Sequence, residues 1–186
     1  MLIKTFGAAL QGIDAITVTI EVTVEIGASF NLVGLPDAAV KESYQRVRSA
    51  VKQSGFEFPR HAVVVNMSPA DVRKEGAAYD LPISLAILSA SRQLDASRLG
   101  GYMIMGELSL DGSVLPIKGV LPMAIAARSL GFKGMIVPQA NATEAAVVNN
   151  IDVYGVSSLR EVVGFLNGEA VLEPTVVNTR EEFSRA

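Results

Sequence analysis

The chain has 186 residues, 49% of them hydrophobic and 19% charged, which is enough apolar material for one well-packed domain and excludes general disorder. A formal net charge of −3 excludes the overall basicity of a free-standing nucleic-acid binder, although it leaves room for a local basic face. Cysteine is absent and His61 is the single histidine, so disulfides, thiolate nucleophiles and a zinc site of the usual ligands are excluded.

The N-terminus, Met1 to Gly7, lacks the apolar run and small-residue cleavage site of a secretory signal, and no apolar stretch approaches the roughly 20 residues of a spanning helix. A cytoplasmic chain with no membrane partner is expected. From Ile16 to Ile26 apolar residues alternate with Thr17, Thr19, Glu21, Thr23 and Glu25, the period of a half-buried strand. With Leu2 to Leu10 before it and the turn Gln11-Gly12-Ile13-Asp14 between, this predicts an antiparallel hairpin. Phe30 to Val33 adds a short strand.

Pro36 and Asp37 open a predicted helix that Gly55 ends, with Val40, Tyr44, Val47 and Val51 on its apolar stripe. Ala62 to Met67 reads as a buried strand and Ser68 to Gly76 as a polar loop. Asp80 is expected to cap a helix from about Leu81 to Gln93, apolar nearly all round and therefore central. Met103 to Leu110 and Val114 to Ile117 flank Asp111-Gly112, a strong hairpin signal. A helix from Leu121 to Leu130 with Gly131 as its stop, a strand from Met135 to Pro138, and a helix from Thr143 to Asn149 follow. A strand near Val153 and a helix opened by the capping box Ser158 to Glu161 and closed by Gly168 complete the pattern. The order describes one α/β (α+β) domain over residues 1–168 with a mixed sheet. Residues 169–186 read as a linker or tail.

No GxxxxGK[ST] or GxGxxG loop is present, so nothing cradles a triphosphate, and no cofactor is expected in this chain. Gly27 to Gly34 has the wrong glycine spacing and reads as a structural turn. Lys41, Arg48 and Lys52 fall on one face of the first helix, opposite the apolar stripe, and Arg73 with Lys74 forms a second basic pair. Two readings stand for this candidate DNA or partner surface, an ordinary solvated face or a phosphate-contacting one. Glu107 and Asp111 suit hairpin turns better than a hard cation.

Lys74-Glu75-Gly76-Ala77-Ala78-Tyr79-Asp80 and Gly106 to Gly119 resemble the nucleophile segment and the lysine-leading strands of Lon proteases. Gly131-Phe132-Lys133 and Ile136-Val137-Pro138 continue the match. The resemblance implies the fold of the Lon proteolytic domain and of the second domain of ribosomal protein S5. It also implies that no Ser-Lys chemistry survives: Ala78 stands where the Lon serine would, and Met123 where the lysine would.

A wider resemblance runs over about residues 1 to 170. Asn31 to Ser43, then Asn66 to Asp71 with Lys74-Glu75-Gly76 and Asp80 to Ile83, then Gly106 to Gly112, together look like the N-terminal domain of the ComM/YifB proteins. These are a bacterial magnesium chelatase-like AAA+ family. The resemblance implies a non-catalytic accessory domain followed by a AAA+ module that binds ATP and Mg. It further implies a self-assembled hexamer with DNA as partner, a helicase of branch migration in natural transformation. The alternatives are a domain of a metal-inserting magnesium chelatase motor, or an inactive Lon-like domain used for protein contacts.

Overall fold

A computed structural model describes residues 1–177. Strands β1 (Leu2–Gln11) and β2 (Asp14–Glu25) form the long antiparallel hairpin that the alternation predicts. Strands β3 (Phe30–Val33), β4 (Ala62–Ser68), β5 (Tyr102–Ile104), β8 (Gly134–Pro138) and β9 (Asp152–Val156) extend it into a seven-stranded sheet, ordered β3-β4-β2-β1-β5-β8-β9. The pairs β1–β2 and β2–β4 are antiparallel, and β3–β4, β1–β5, β5–β8 and β8–β9 are parallel. The sheet is therefore mixed, as expected, and helices pack against it. Strands β6 (Glu107–Leu108) and β7 (Val114–Leu115) make a separate two-stranded ribbon.

The helices are α1 (Ala38–Lys41), α2 (Ser43–Gln53), α3 (Asp80–Ala90), α4 (Val120–Ser129), α5 (Ala142–Ala146) and α6 (Leu159–Leu166). Period-2 geometry sends alternate β1 side chains to opposite faces of the sheet. Thr5 donates its hydroxyl to the Pro82 carbonyl at 2.9 Å, so that face meets α3. On the other face Phe6 meets Phe132 edge-on, and Leu10 lies against Gly119 at the head of α4. Register pairs Ile3, Thr5 and Gly7 with Val22, Ile20 and Val18, which places three fully buried β2 residues on the α3 face. Every residue of α3 is buried, in agreement with an apolar surface all round. Burial of Leu81, Ile83, Leu85, Ile87 and Leu88 contributes roughly 1.5–3 kcal/mol each.

Several boundaries differ from the sequence reading. The first predicted helix breaks at Glu42, and Asp37 caps only its opening turn, accepting from the Val40 amide at 2.8 Å. Asp80 does not cap α3. It is the first helical residue, and its carboxylate turns inward to other partners. The expected strand from Met103 to Leu110 divides at Met105 and Gly106, because the Gly106 amide donates to the Ala78 carbonyl and leads the chain out of the sheet. Helix α3 ends at Ala90 rather than Gln93, and α5 is five residues long and preceded by a turn of 3₁₀ helix, Gln139–Asn141.

Ser158 caps α6 as read, while the return bond of Glu161 goes to the residue before the cap. Ser158 accepts from the Glu161 amide at 3.2 Å, and Glu161 accepts from the Ser157 amide at 2.9 Å. Residues 169–177 hold no helix or strand, yet Leu172 packs against the core and the Thr175 amide donates to Val153. The last part of the segment read as a tail, 178–186, lies outside the described residues.

The Asp-Gly turn carries a prediction. The Asp111 carboxylate accepts from the Ser109 hydroxyl and from the Ser113 amide at 2.9 Å, and these bonds bring its pKa down to about 2. The turn's carboxylate bonds persist above the ordinary carboxyl pKa of roughly 3.9 and are lost as pH falls through about 2. The Ser113 amide resonance is expected to titrate with a midpoint near 2. A midpoint at the ordinary carboxyl value would show that the two bonds do not form.

Candidate functional site

The segments that carry the sequence resemblances meet in one junction. Asp37 accepts from the Val40 amide through Oδ1 and from the Gly76 amide through Oδ2, at 3.1 Å. Its own amide donates to the Lys74 carbonyl at 2.9 Å, and the Lys74 amide donates to Leu35 at 3.0 Å. Pro36 and Lys74 thereby form a parallel bridge. Lys74 itself is fully buried, and its ammonium donates to the Pro69 carbonyl. Burial pushes its pKa below the ordinary lysine value, against the opposing pull of Asp71.

This corrects the expected second basic pair. Lys74 presents no charge to solvent, and exposed Arg73 is paired with Glu75 at 3.3 Å. A buried amine needs an acceptor, and here a backbone carbonyl supplies it.

Ala78 is half-buried against the core, and Met123, in α4, is buried. A methyl group and a thioether offer neither a nucleophile nor a base. Ser84 is buried in α3 and donates to the Leu81 carbonyl, and Lys118 is exposed. Among the described residues, no group of three or more acidic or histidine side chains is placed to hold a metal ion.

Arg46 is the residue the sequence reading missed. Its guanidinium grips Asp80, Nε to Oδ2 at 2.6 Å and Nη2 to Oδ1 at 3.0 Å, and donates to the Ala39 carbonyl at 2.7 Å. Asp80 also accepts from the Ser43 hydroxyl at 2.7 Å and the Leu108 amide at 3.1 Å. Burial pushes the Asp80 carboxyl above its ordinary range, and these donors act in the opposite direction. The available signal was a carboxylate at the head of an all-apolar helix, which requires a partner.

Lys41, Arg48 and Lys52 are exposed, as expected of the face opposite Val47 and Val51. The structure does not keep the three together. Lys41 sits on α1 beyond the break, whereas Arg48 and Lys52 line an open cleft of about 1490 Å³. Arg60, His61 and Arg92 also line that cleft. Half-buried Phe30, Tyr44, Phe56 and Phe58 line it below the exposed charges. Three of these rings form a cluster, with Tyr44 centred 4.6 Å from Phe30 and 5.8 Å from Phe58.

Comparison with known proteins follows the same segments. The family model described as "Subunit ChlI of Mg-chelatase" matches residues 20–141, well over half of the chain. "Competence protein ComM" of Haemophilus influenzae is 42% identical over 168 residues, covering 90% of this chain and 33% of that protein. The "Uncharacterized protein YifB" of Escherichia coli is 40% identical over 166 residues, covering 89% of this chain and 33% of its own length. A more distant relative, "Lon protease" of Mycoplasma mobile, is 28% identical over 176 residues, covering 88% of this chain and 21% of that protein. The chain thus spans about a third of the ComM and YifB relatives.

Proposed function

The chain belongs to the family described as subunit ChlI of Mg-chelatase, and from that premise we propose that it is a non-catalytic accessory domain of a AAA+ ATPase. Its work is to help the protein assemble as a ring and to engage DNA. ATP and Mg bind elsewhere in the longer protein, and the motor acts on branched DNA in the manner of a branch-migration helicase. The observation that carries this reading is the pairing of chemically inert side chains with exposed cationic residues. Ala78 and Met123 hold the two positions that the Lon resemblance assigns to catalysis, while Lys41, Arg48 and Lys52 are open to solvent. No helix among the described residues is long and apolar enough to cross a membrane.

The test is the pair Lys41→Glu with Arg48→Glu in the full-length protein. Both residues lie on the solvent side, so folding is expected to be unchanged. Loss of two phosphate contacts should lower the slope of log K against log salt by about two for duplex DNA, at roughly 0.9 per contact. Basal ATPase without DNA should stay at the wild-type rate. Unchanged binding of branched and single-stranded DNA at equal salt would leave assembly as the domain's role.

A further inference from the structure

The cleft beside β3 has a composition that an ordinary solvated face does not explain. Four cationic side chains, Arg48, Lys52, Arg60 and Arg92, line it against one acidic residue, Glu57. All four are exposed, and among the described residues none is in an ion pair. They come from three separate parts of the chain, α2, the loop before β4 and the end of α3, so helical periodicity alone did not assemble them.

The walls are held in place. Gln93 clamps the loop, accepting from the Glu57 amide at 2.8 Å and donating to the Glu57 carbonyl at 2.7 Å. The Phe56 amide donates back to Val51 at 3.0 Å, closing α2 onto the same loop. Arg92 stands at φ 64°, the left-handed position just beyond α3 where glycine is ordinarily favoured. An arginine held there against local preference directs attention to what its side chain does.

We propose that this cleft is a binding site for single-stranded DNA, with phosphates on the arginine and lysine rims and bases against the aromatic floor. The inference rests on the DNA-engaging reading above and assigns it a place and a strand form. Charge complementarity calls for a polyanion. The aromatic floor selects unpaired bases, because a duplex keeps its base faces stacked inward and presents only phosphates and groove edges. At about 1490 Å³ and open to solvent, the cleft exceeds the roughly 300–1,000 Å³ of small-molecule sites and suits a polymer passing through it. Phe56 is the ring on which a base would stack, since it is half-buried and stands outside the Phe30, Tyr44 and Phe58 cluster.

The experiment is a titration of the ¹⁵N-labelled chain with oligo-dT, a blunt duplex of equal length and oligo-U, at low and moderate salt. Oligo-dT is expected to bind more tightly than the duplex and to shift the amides around Phe56 to His61 and Arg92. Four phosphate contacts predict a salt slope of about three, at roughly 0.7 per contact for single strands. Arg60→Glu with Arg92→Glu should weaken oligo-dT binding at least ten-fold. Phe56→Leu should weaken it by roughly ten-fold through lost stacking, leaving the salt slope unchanged. Lys118→Glu, at an exposed position outside the cleft, should leave oligo-dT binding as it is. Duplex bound as well as oligo-dT, or Phe56→Leu without effect, overturns the cleft while leaving the basic face as a phosphate contact. Tighter binding of oligo-U overturns the assignment to DNA. No binding of either DNA form at low salt overturns the cleft and the DNA-engaging reading together.

Discussion

Replacing Arg46 by alanine is expected to destabilise the chain by about 3–5 kcal/mol, the range for breaking a buried ion pair from one side. Asp80 is fully buried and collects four donated hydrogen bonds, two of them from the Arg46 guanidinium. The alanine variant keeps the carboxylate in place and removes its only countercharge within ion-pair distance among the described residues. The penalty arises from that stranded charge, so replacing both partners by apolar residues, Arg46→Met with Asp80→Leu, should recover much of the loss.

The pH dependence of the variant follows from the same cause. Burial already pushes the Asp80 carboxyl above its ordinary value, and losing Arg46 moves it further up. A carboxyl whose folded pKa exceeds its unfolded one holds a proton that the unfolded chain releases. Stability therefore rises as pH falls through the folded value, and levels off below the unfolded value of roughly 3.9. Urea unfolding of wild type and variant at neutral and mildly acidic pH should show the deficit shrinking on acidification. A loss under about 1 kcal/mol at neutral pH, the range of an exposed pair, would mean that water reaches Asp80 and the reading of this junction is wrong.

What could be read from the sequence was what neighbours along the chain decide. The β1–β2 hairpin announces itself by alternation, α3 by apolar residues on every side, and α6 by its capping box. What could not be read was decided by residues distant in the chain. Arg46 and Asp80 are 34 positions apart, and neither carries a local mark of the other. The adjacent charges Arg73 and Lys74 look alike in sequence. Only the backbone clasp between Lys74, Leu35 and Asp37, with a carbonyl at Pro69, makes one of them an interior group.

The cleft shows the same limit. Arg48 and Lys52 were visible on a helical face, whereas Arg60 and Arg92 join them only through the loop that Gln93 holds down. The resembling segments, Asn31 to Ser43 and Lys74 to Ile83, prove to be where the chain crosses itself. Much of what they hold is architecture: a glycine, a clasp and a buried carboxylate.

The glycine gives the second large expected effect. Gly34→Ala should cost about 2–6 kcal/mol, combining roughly 1–3 for a strained left-handed backbone with roughly 1–3 for overpacking. Gly34 sits at φ 116°, and a methyl group there would lie 2.0 Å from the Met67 carbonyl oxygen and 2.9 Å from its carbon. The obstacle is backbone of β4, which is hydrogen-bonded to β2 on one side and to β3 on the other, so it cannot swing away as a side-chain tip would. Leu35, also at positive φ, must follow immediately to present its carbonyl to Lys74, so a shift at Gly34 is carried into the clasp. Gly55→Ala separates the two costs. Gly55 has φ 89° with nothing within 4 Å of an added methyl, so its substitution measures backbone strain alone, about 1 kcal/mol or slightly more. The excess of Gly34→Ala over Gly55→Ala in urea unfolding therefore measures the overlap with β4. Equal losses at the two positions would show that the β3–β4 crossing has slack, and that Gly34 is there for its φ alone.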